Sequence, residues 1–488
     1  MRLLLLLAMV SNSMQEATLV RAPAVLSQEL THPGDLELRQ ERLDAFIGAH
    51  ISWMNTQCDL SKPQLADLHK AARQAVQGMQ QRPKIGPEGT RRDYGPFYFA
   101  TNGCGHALLA GKSWNAAVAR NLSSEQVERL ARATNERHKF LKHGLLGVPV
   151  YLLDQELLLT SQQAGNVRRF LAAQPMDIVL RTQFRFRKTS PVEWNLLYLY
   201  QWLPKGSLAA ARRSLGAARS KRLDQMRTAF QSVGRQDGQL FEGDVLITSS
   251  MPDARWETYR DKAVQAQTER LTSCVAVRIE HLKASGKLDD AATRRLQVAG
   301  KGAIAQILDN WVTELQACRE KEVREGLNRL VGFAVPPVNA LEENKRWSLT
   351  VRNVASETTQ ANAADRASRH RQLHVQTALA LLDQELWLRA PQRALLRPLI
   401  EKHYTEPRWI RRGNLEPNLH RETLEPTLVG MALFGISADQ LTSILDDSQR
   451  QAWKVYKSQF QRAAGTRVRY FDPEGPQVLF RVAAPGKR

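Results

Sequence analysis

The chain has 488 residues, a formal net charge of +20 and 43% hydrophobic residues. A chain of this length forms two to four domains and can bury a sizeable core without disulfides or metals. After the first ten residues no apolar run reaches the ~18 residues of a membrane-spanning helix, so we expect no integral membrane span in the mature protein.

The N-terminus has the pattern of an export signal. Arg2 is followed by the apolar run Leu3 to Val10, and Ser11-Asn12-Ser13 places small residues where a signal peptidase cuts. We therefore predict a signal peptide over residues 1–13, a mature chain that begins near Met14, and a periplasmic or extracellular location. The alternative is that this apolar run is only the start of the first helix.

A short pattern recurs along the chain: an apolar residue, then Ser, Thr or Asp, two variable residues and Gln. A hydroxyl or carboxylate in this position caps the first turn of a helix, and the Gln three residues later reaches back to the N–H of the capping residue. Since apolar residues continue at helical spacing after each cap, every copy predicts an amphipathic helix. We expect the hydroxyls that open the clearest copies to be helix caps rather than nucleophiles: Ser61, Ser123, Thr160 and Ser437.

The two halves of the chain repeat each other. The six residues Leu152 to Leu157 recur letter for letter as Leu381 to Leu386, 229 positions later, and several shorter matches occur at nearly the same shift. A repeat of this length indicates an internal duplication. The fold class that we predict is mainly α, with two homologous modules of αα-hairpins and a few long loops. We place module 1 at residues 23–250 and module 2 at residues 251–488.

Three segments interrupt the helical pattern. Residues 82–105 are rich in Gly, Pro and aromatics, residues 234–250 form a similar break, and residues 344–362 have few periodic apolar positions. We interpret all three as loops, which is where a helical scaffold would place a binding site.

The sequence contains no familiar metal-binding or cofactor-binding motif, and we expect no cofactor. HExxH, CxxC, P-loop, GxSxG and GxGxxG patterns are missing. Four cysteines are compatible with disulfides in an exported protein. However, none of them has a counterpart in the other module, which favours free thiols: Cys58, Cys104, Cys274 and Cys318.

Asp154, Glu156, Asp383 and Glu385 are the acidic residues of the six-residue identity. Two positions apart on a helix, the Asp and Glu of one copy point to different faces and cannot form a catalytic pair. Carboxylates from two helices could form such a pair, as hydrolysis of a glycosidic bond requires. The alternative, which we favour, is an Asp that bonds a neighbouring helix terminus and a Glu on the surface.

His138 and His370 lie in similar helical contexts in the two modules, each beside basic residues. A histidine flanked by cations on a helix is more often a surface residue than a catalytic base. We therefore expect both side chains to be exposed.

Basic and aromatic residues alternate in one segment of each module. The cations of such a segment could pair with phosphates or uronates while its rings stack on bases or sugars. An edge strand or loop with its apolar face on the core has the same pattern. The candidate binding residues are Arg181, Phe184, Arg185, Phe186, Arg187, Arg408, Trp409, Arg411 and Arg412.

The Leu-(Ser/Thr)-x-x-Gln helix starts, the Leu-Leu-Asp-x-x-Leu helix before them and the segment Leu288 to Gly302 resemble uncharacterised exported proteins of planctomycete bacteria. In that group a Cys-Gly-Leu run opens a similar helix. Here Ser285-Gly286-Lys287-Leu288 lacks the Cys, and Cys58-Asp59-Leu60 lacks the Gly. The helix-start element is also similar to that of small periplasmic stress chaperones. The resemblance implies an exported protein and no known activity.

The leading functional hypothesis is an exported, non-enzymatic binding or scaffold protein of the cell envelope with a basic, amphipathic helical surface. A duplication without a duplicated catalytic constellation motivates it, and the partner would be an envelope protein or an anionic macromolecule. One alternative is a hydrolase or lyase that acts on an anionic polysaccharide, with Asp154 or Asp383 and arginines of residues 181–188 or 408–412 lining a cleft. The other is nucleic-acid binding, which needs a basic patch and which the export signal disfavours.

Overall fold

Helices at the predicted apolar spacings account for most of the structure, a computed structural model, and the fold is mainly α. It describes residues 33–80, 109, 111–173, 212–213, 215–233, 244–247, 252–286, 288–326, 331–334, 336, 340–354, 357–403 and 436–465. The first half forms α1 (Pro33–Cys58), α2 (Lys62–Gln80), α3 (Lys112–Asn121), α4 (Ser124–Leu145), α5 (Gly147–Leu157), α6 (Ser161–Ala172), α7 (Ala217–Val233) and β1 (Asp244–Ile247). The second half forms α8 (Asp253–Ser285), α9 (Asp290–Glu325), β2 (Val331–Ala334), α10 (Ala340–Glu343), α11 (Lys345–Val354), α12 (Glu357–Leu386), α13 (Ala390–His403), α14 (Ala438–Thr442) and α15 (Asp447–Gly465).

Helix caps lie where the recurring pattern predicts them. Ser123, Thr160 and Ser437 each accept a hydrogen bond from the backbone N–H of the Gln three residues later, and each Gln side chain accepts one from the N–H of its capping residue. Ser61 exchanges the same two bonds with Gln64. The capping role predicted for these hydroxyls is confirmed.

Three helices end in the same sharp turn. Asp59, Leu158 and Trp387 follow the last residues of α1, α5 and α12, with φ angles of 50°, 47° and 53°. A left-handed residue at this point stops the helix and reverses the chain. A buried leucine comes next in each case and anchors the turn in the core. The turns produce the αα-hairpins α1–α2, α5–α6 and α12–α13.

A glutamine amide closes the turn between α12 and α13. Gln449, in the first turn of α15, donates from Nε2 to the carbonyl oxygens of Leu386 and Trp387, at 3.1 Å each, and to Gln392 Oε1. Gln449 is 1% exposed, so this contact lies inside the protein. The amide therefore links the start of α15 to the end of α12.

We expect Gln449→Ala to lower the free energy of unfolding by about 2 to 4 kcal/mol, because two backbone carbonyls lose a buried donor. Urea unfolding followed by circular dichroism measures the change. Gln440→Ala is the control, since Gln440 belongs to a similar capping box but is only half-buried. Its expected cost is about 1 kcal/mol or less. Equal losses in the two variants would show that the contacts of Gln449 beyond its own cap contribute nothing.

The described residues form two hydrophobic cores. The first contains side chains from residues 45–226 and 373–455, and the second contains side chains from residues 256–347. In the first core α1 packs along α15 and α4 packs along α12, so helices of both proposed modules share it. The second core lies between α8, α9 and α11. The boundary predicted after residue 250 therefore does not divide one core from the other, and the two modules remain a prediction from the sequence repeat.

Matched positions of that repeat make matched contacts. Arg137 of α4 and Arg366 of α12 are 229 positions apart, as are Asp154 and Asp383. Arg137 donates to the carbonyl oxygen of Asp383 at 2.6 Å, and Arg366 donates to that of Asp154 at 2.9 Å. The α4–α5 segment and α12 thus run antiparallel. An arginine of each half bonds the residue near the helix end of the other half. An internal duplication would produce this agreement, and the duplication itself remains a prediction.

Most of the loop predicted over residues 344–362 is helical, which corrects that prediction. The segment contains α11 and the start of α12. Trp347 explains α11: it is 2% exposed and packs against Gly300 of α9, where a Cβ would lie 3.3 Å from the indole. Val351 and Val354 follow Trp347 at helical spacing and pack against the same core, so a short apolar stripe anchors this helix.

The other predicted interruptions are described only in part. Strand β1 lies inside the predicted loop 234–250 and pairs antiparallel with β2, with Val245 opposite Phe333. The loop 82–105 and the proposed signal peptide lie outside the described residues.

Cys58, Cys274 and Cys318 carry reduced thiols, and Cys104 lies outside the described residues. Among the helices that the structure describes, none is both long and apolar enough to cross a bilayer.

Candidate functional site

The two alternating basic and aromatic segments fall in the ranges 174–211 and 404–435, which lie outside the described residues. Their candidate binding residues therefore have no place in the geometry below: Arg181, Phe184, Arg185, Phe186, Arg187, Arg408, Trp409, Arg411 and Arg412. The repeated acidic residues and the histidines near them are described, and they form the candidate site.

Asp154 and Asp383 lie near the ends of α5 and α12 and are buried, at 1% and 0% exposure. Each carboxylate accepts a 2.6 Å hydrogen bond from a backbone N–H just beyond the left-handed turn, that of Leu159 or Leu388. The helix supplies no partner for this N–H, and the carboxylate does. The preferred interpretation, an Asp that bonds a neighbouring helix terminus, is confirmed for both residues.

Two guanidinium groups face Asp383. Arg137 Nε lies 3.2 Å from Oδ1, and Arg393 Nη1 lies 3.4 Å from Oδ2. Arg137 is 3% exposed, and its guanidinium carbon lies 3.6 Å from the centre of the Trp387 ring. The ion pair and the aromatic face together offset the cost of burying this cation. Burial raises the pKa of Asp383, while Arg137 and Arg393 oppose the rise.

A histidine and two arginines surround Asp154. His370 Nε2 lies 2.5 Å from Asp154 Oδ2, and Arg366 Nε lies 3.4 Å from the same oxygen. Burial by itself would raise the pKa of Asp154. The hydrogen bond from His370 and the charges of Arg366 and Arg369 outweigh burial and bring the pKa below its ordinary value. Asp154 is therefore ionised at neutral pH.

The surroundings of the two carboxylates differ at matched positions. His370 and His374 of α12 stand 229 positions after Leu141 and Leu145 of α4, so histidines take the place of leucines on one side only. Both imidazoles meet Tyr151 edge-on, with ring centroids 4.8 and 4.3 Å away. Burial and the neighbouring His370 lower the pKa of His374 to about 3. Because it departs from the repeat, the Asp154–His370 pair is the strongest candidate for chemistry among the repeated positions.

The prediction that His138 and His370 are exposed is wrong. His370 is 8% exposed, because Asp154 of the other half gives it a buried partner. His138 is half-buried on α4, where burial and Arg137 lower its pKa to about 4. The flanking cations do not mark an exposed face, because Arg369 reaches the same oxygen of Asp154 at 3.6 Å and Arg137 is itself buried. A signal for His370 was present in the sequence, since the 229-residue shift places it opposite a leucine.

The repeated glutamates are not surface residues either, which corrects that part of the prediction. Glu385 is 4% exposed. Glu156 accepts two hydrogen bonds from Arg222 of α7, at 2.7 and 3.0 Å. Although burial acts in the opposite direction, the charges of Arg222 and Arg270 bring the pKa of Glu156 below its ordinary value. Glu156 therefore links α5 to α7, and Arg270 adds charge from α8.

Asp154 and Asp383 do not converge. Asp154 contacts Arg366 of α12. Asp383 lies 17 residues after Arg366 on that helix. At a rise of about 1.5 Å per residue, this corresponds to a separation of about 25 Å. Two carboxylates that cleave a glycosidic bond stand about 5 to 10 Å apart. These two residues therefore cannot act as such a pair.

A shallow groove lies between α1 and α4, with a volume of about 290 Å³ and a lining of Gln57, Arg129, Arg132, Ala133 and Glu136. Arg129 pairs with Asp59 at 2.9 Å, and Glu136 pairs with Arg393 at 3.2 Å. The lining offers cations, an amide and a paired carboxylate, without a nucleophile beside a base. Within the described part of the chain, no group of His, Cys, Asp or Glu side chains is placed to hold a metal ion.

Comparison with protein-family models, with curated proteins and with solved structures gave no match for this chain.

Proposed function

We propose that the protein is an exported, non-enzymatic binding or scaffold protein of the cell envelope. One observation carries the proposal: the acidic residues that the sequence repeats hold helices together. Asp154 and Asp383 accept backbone N–H groups, and each faces an arginine from the opposite half of the chain. An enzyme would need such groups to converge on one cavity.

The proposed partner is an envelope protein or an anionic macromolecule. A net charge of +20 attracts anionic surfaces over roughly a Debye length. Export is supported by the apolar run after Arg2 and by the resemblance to exported planctomycete proteins. The same resemblance implies no activity, which agrees with a binding role.

Incubation of the protein with polygalacturonate, a polymer of carboxylated sugars, separates binding from catalysis. We expect the polymer to co-sediment with the protein and to keep its length in size-exclusion chromatography. Shortened chains or unsaturated sugar products would contradict a non-enzymatic function. Heat-denatured protein is the control for adsorption that does not require the fold.

A hydrolase or lyase that acts on an anionic polysaccharide is the second candidate, and the Asp154–His370 pair favours it. A carboxylate that orients an imidazole is an arrangement used by general bases, and Arg366 could neutralise a uronate nearby. The burial of the pair argues against this candidate, because Asp154 is only 1% exposed and His370 only 8% exposed. If the wild-type protein cleaves the polymer, this candidate predicts that His370→Gln abolishes the cleavage. Cleavage that persists in the variant would exclude His370 as the base.

A further inference from the structure

Basic side chains lie where α4 and α12 run antiparallel, with α13 packed on α12 and with Arg168 of α6 bonded to both α4 and α12. Four helices contribute these side chains. We call the following residues the central basic face: Lys139, His143, Arg168, Arg371, Arg397 and Lys402.

Contacts between these helices bring the side chains together. Arg168 of α6 donates from Nη2 to the carbonyl oxygen of His143 at 3.0 Å and to Gln376 Oε1 at 2.6 Å. It therefore spans the end of α4 and the middle of α12. Arg168 thus lies beside His143, whose pKa is lowered by burial and by the charges of Arg168 and Arg397.

Arg371 joins α12 to the end of α13. It donates from Nη2 to the carbonyl oxygen of Glu401 at 2.6 Å. The Glu401 side chain lies 3.1 Å from Arg397 Nε, one turn earlier on α13. Glu401 therefore links the arginine of α12 to that of α13.

Acidic residues are scarce in these segments. Residues 137–153 of α4 and α5, and residues 366–382 of α12, contain no Asp or Glu. Helix α6 contains none, and α13 contains Glu401 alone. In these described segments the cations outnumber the carboxylates, and Glu401, which pairs with Arg397, leaves a net positive charge.

The face also repeats the symmetry of the sequence. Arg168 and Arg397 are 229 positions apart, and both are half-buried. Each half of the chain thus brings one arginine to the region of His143. A ligand with the same anionic group at regular intervals could meet both arginines in the same manner.

We propose that the central basic face is the binding site for an acidic polysaccharide. The proposal rests on the proposed binding function and names its site and ligand class. Guanidinium groups pair with carboxylates through two parallel hydrogen bonds, and a polyuronate supplies one carboxylate per sugar. Binding replaces the counterions of the polymer with fixed protein cations, so affinity falls as salt rises.

The aromatic residues of the same helices distinguish this ligand from unpaired nucleic acid. Phe140 and Phe170 are half-buried and pack against the first core. Arg393 covers the Phe140 ring at 4.2 Å from its centroid. Binding of single-stranded nucleic acid usually requires rings that stack on the bases. These two rings pack against the first core, so the part of the face that the structure describes offers charge without a stacking platform.

A pair of charge reversals tests the site in the full-length protein. Lys139→Glu with Lys402→Glu places two carboxylates on the face, and both lysines are exposed. The control is Lys301→Glu with Lys321→Glu, which makes the same change in net charge on exposed positions of α9. The dissociation constant for polygalacturonate is measured for each protein by calorimetry, at two salt concentrations. We expect the first variant to bind at least about tenfold more weakly than the wild type and the control less than about threefold more weakly.

Each other outcome overturns a defined part of the proposal. Equal weakening in both variants would show that net charge alone attracts the polymer and would remove the central basic face as its site. Wild-type protein that binds duplex or single-stranded DNA more tightly than polygalacturonate, at equal charge, would overturn the ligand class. Cleavage of the polymer by the wild type would overturn the proposed non-enzymatic function, whatever the variants do.

Discussion

Asp383→Ala is expected to lower the free energy of unfolding by about 3 to 5 kcal/mol, because it leaves a buried arginine without its counter-charge. Arg137 is 3% exposed and has no route to solvent that would compensate for the loss. The N–H of Leu388 loses its acceptor at the same time. Urea unfolding, followed by circular dichroism at 222 nm, a helical band, measures the change.

Asp309→Ala is the matched control for this variant. Asp309 lies in the middle of α9 on an exposed surface, and its removal is expected to change stability by less than about 0.5 kcal/mol. If Asp383→Ala does not fold, Asp383→Asn retains an acceptor for Leu388 and should lose less stability. A loss for Asp383→Ala no larger than that of the control would contradict a structural role of this carboxylate.

Acidification from pH 7 to pH 5 is expected to destabilise the protein by about 3 to 5 kcal/mol. His138 and His281 have pKa values of about 4, and His374 has a pKa of about 3, in each case mainly because of burial. These groups stay neutral in the folded protein, while the unfolded chain takes up protons below its ordinary histidine pKa of 6.5. Stability therefore falls as the pH drops below 6.5, and this loss continues down to about pH 3 to 4.

Asp154 and Glu156 act below that window, because their pKa values lie under those of ordinary carboxyl groups. The lowered pKa values of Asp154 and Glu156 add a further loss of stability at lower pH, and the raised pKa of Asp383 acts in the opposite direction. Urea unfolding at pH 7, 6 and 5 measures the histidine contribution. His374→Leu, which copies the leucine at the matched position of α4, should remove about a third of it. A free energy of unfolding that is equal at pH 7 and pH 5 would contradict the neutral, buried state of these histidines.

The local features of the fold could be predicted from the sequence. Ser123, Thr160 and Ser437 cap their helices as expected, since a capping box is encoded within four consecutive residues. The bond from Asp154 to a helix terminus could also be predicted, because its acceptor and donor are five residues apart. Local hydrogen bonding leaves a local sequence pattern, and the mainly helical class follows from the sum of such patterns.

The contacts between the halves could not be predicted in the same way. His370 is buried because of Asp154, which is 216 positions away, and no window of neighbouring residues contains both. Its flanking arginines, a local pattern, indicated exposure instead. Glu385 was also expected on the surface, and it is 4% exposed. The burial of a polar residue depends on partners that the fold brings together.

The division of the described residues into two hydrophobic cores also could not be predicted from local patterns. The repeat suggested two modules in succession, whereas residues of both modules share the first core. A sequence repeat records which segments match, and it does not state which of them pack together. The repeat places Arg137 opposite Arg366 and Asp154 opposite Asp383. This alignment suggests that each arginine pairs with the aspartate of the other half.

The central claim is that the repeated carboxylates hold the fold together and take no part in recognition or chemistry. The most direct test is to titrate polygalacturonate into Asp154→Asn and to measure the dissociation constant per folded molecule. We predict a variant that is about 1 to 3 kcal/mol less stable and whose dissociation constant changes less than about twofold. A variant of unchanged stability that has lost its affinity for the polymer would contradict the claim.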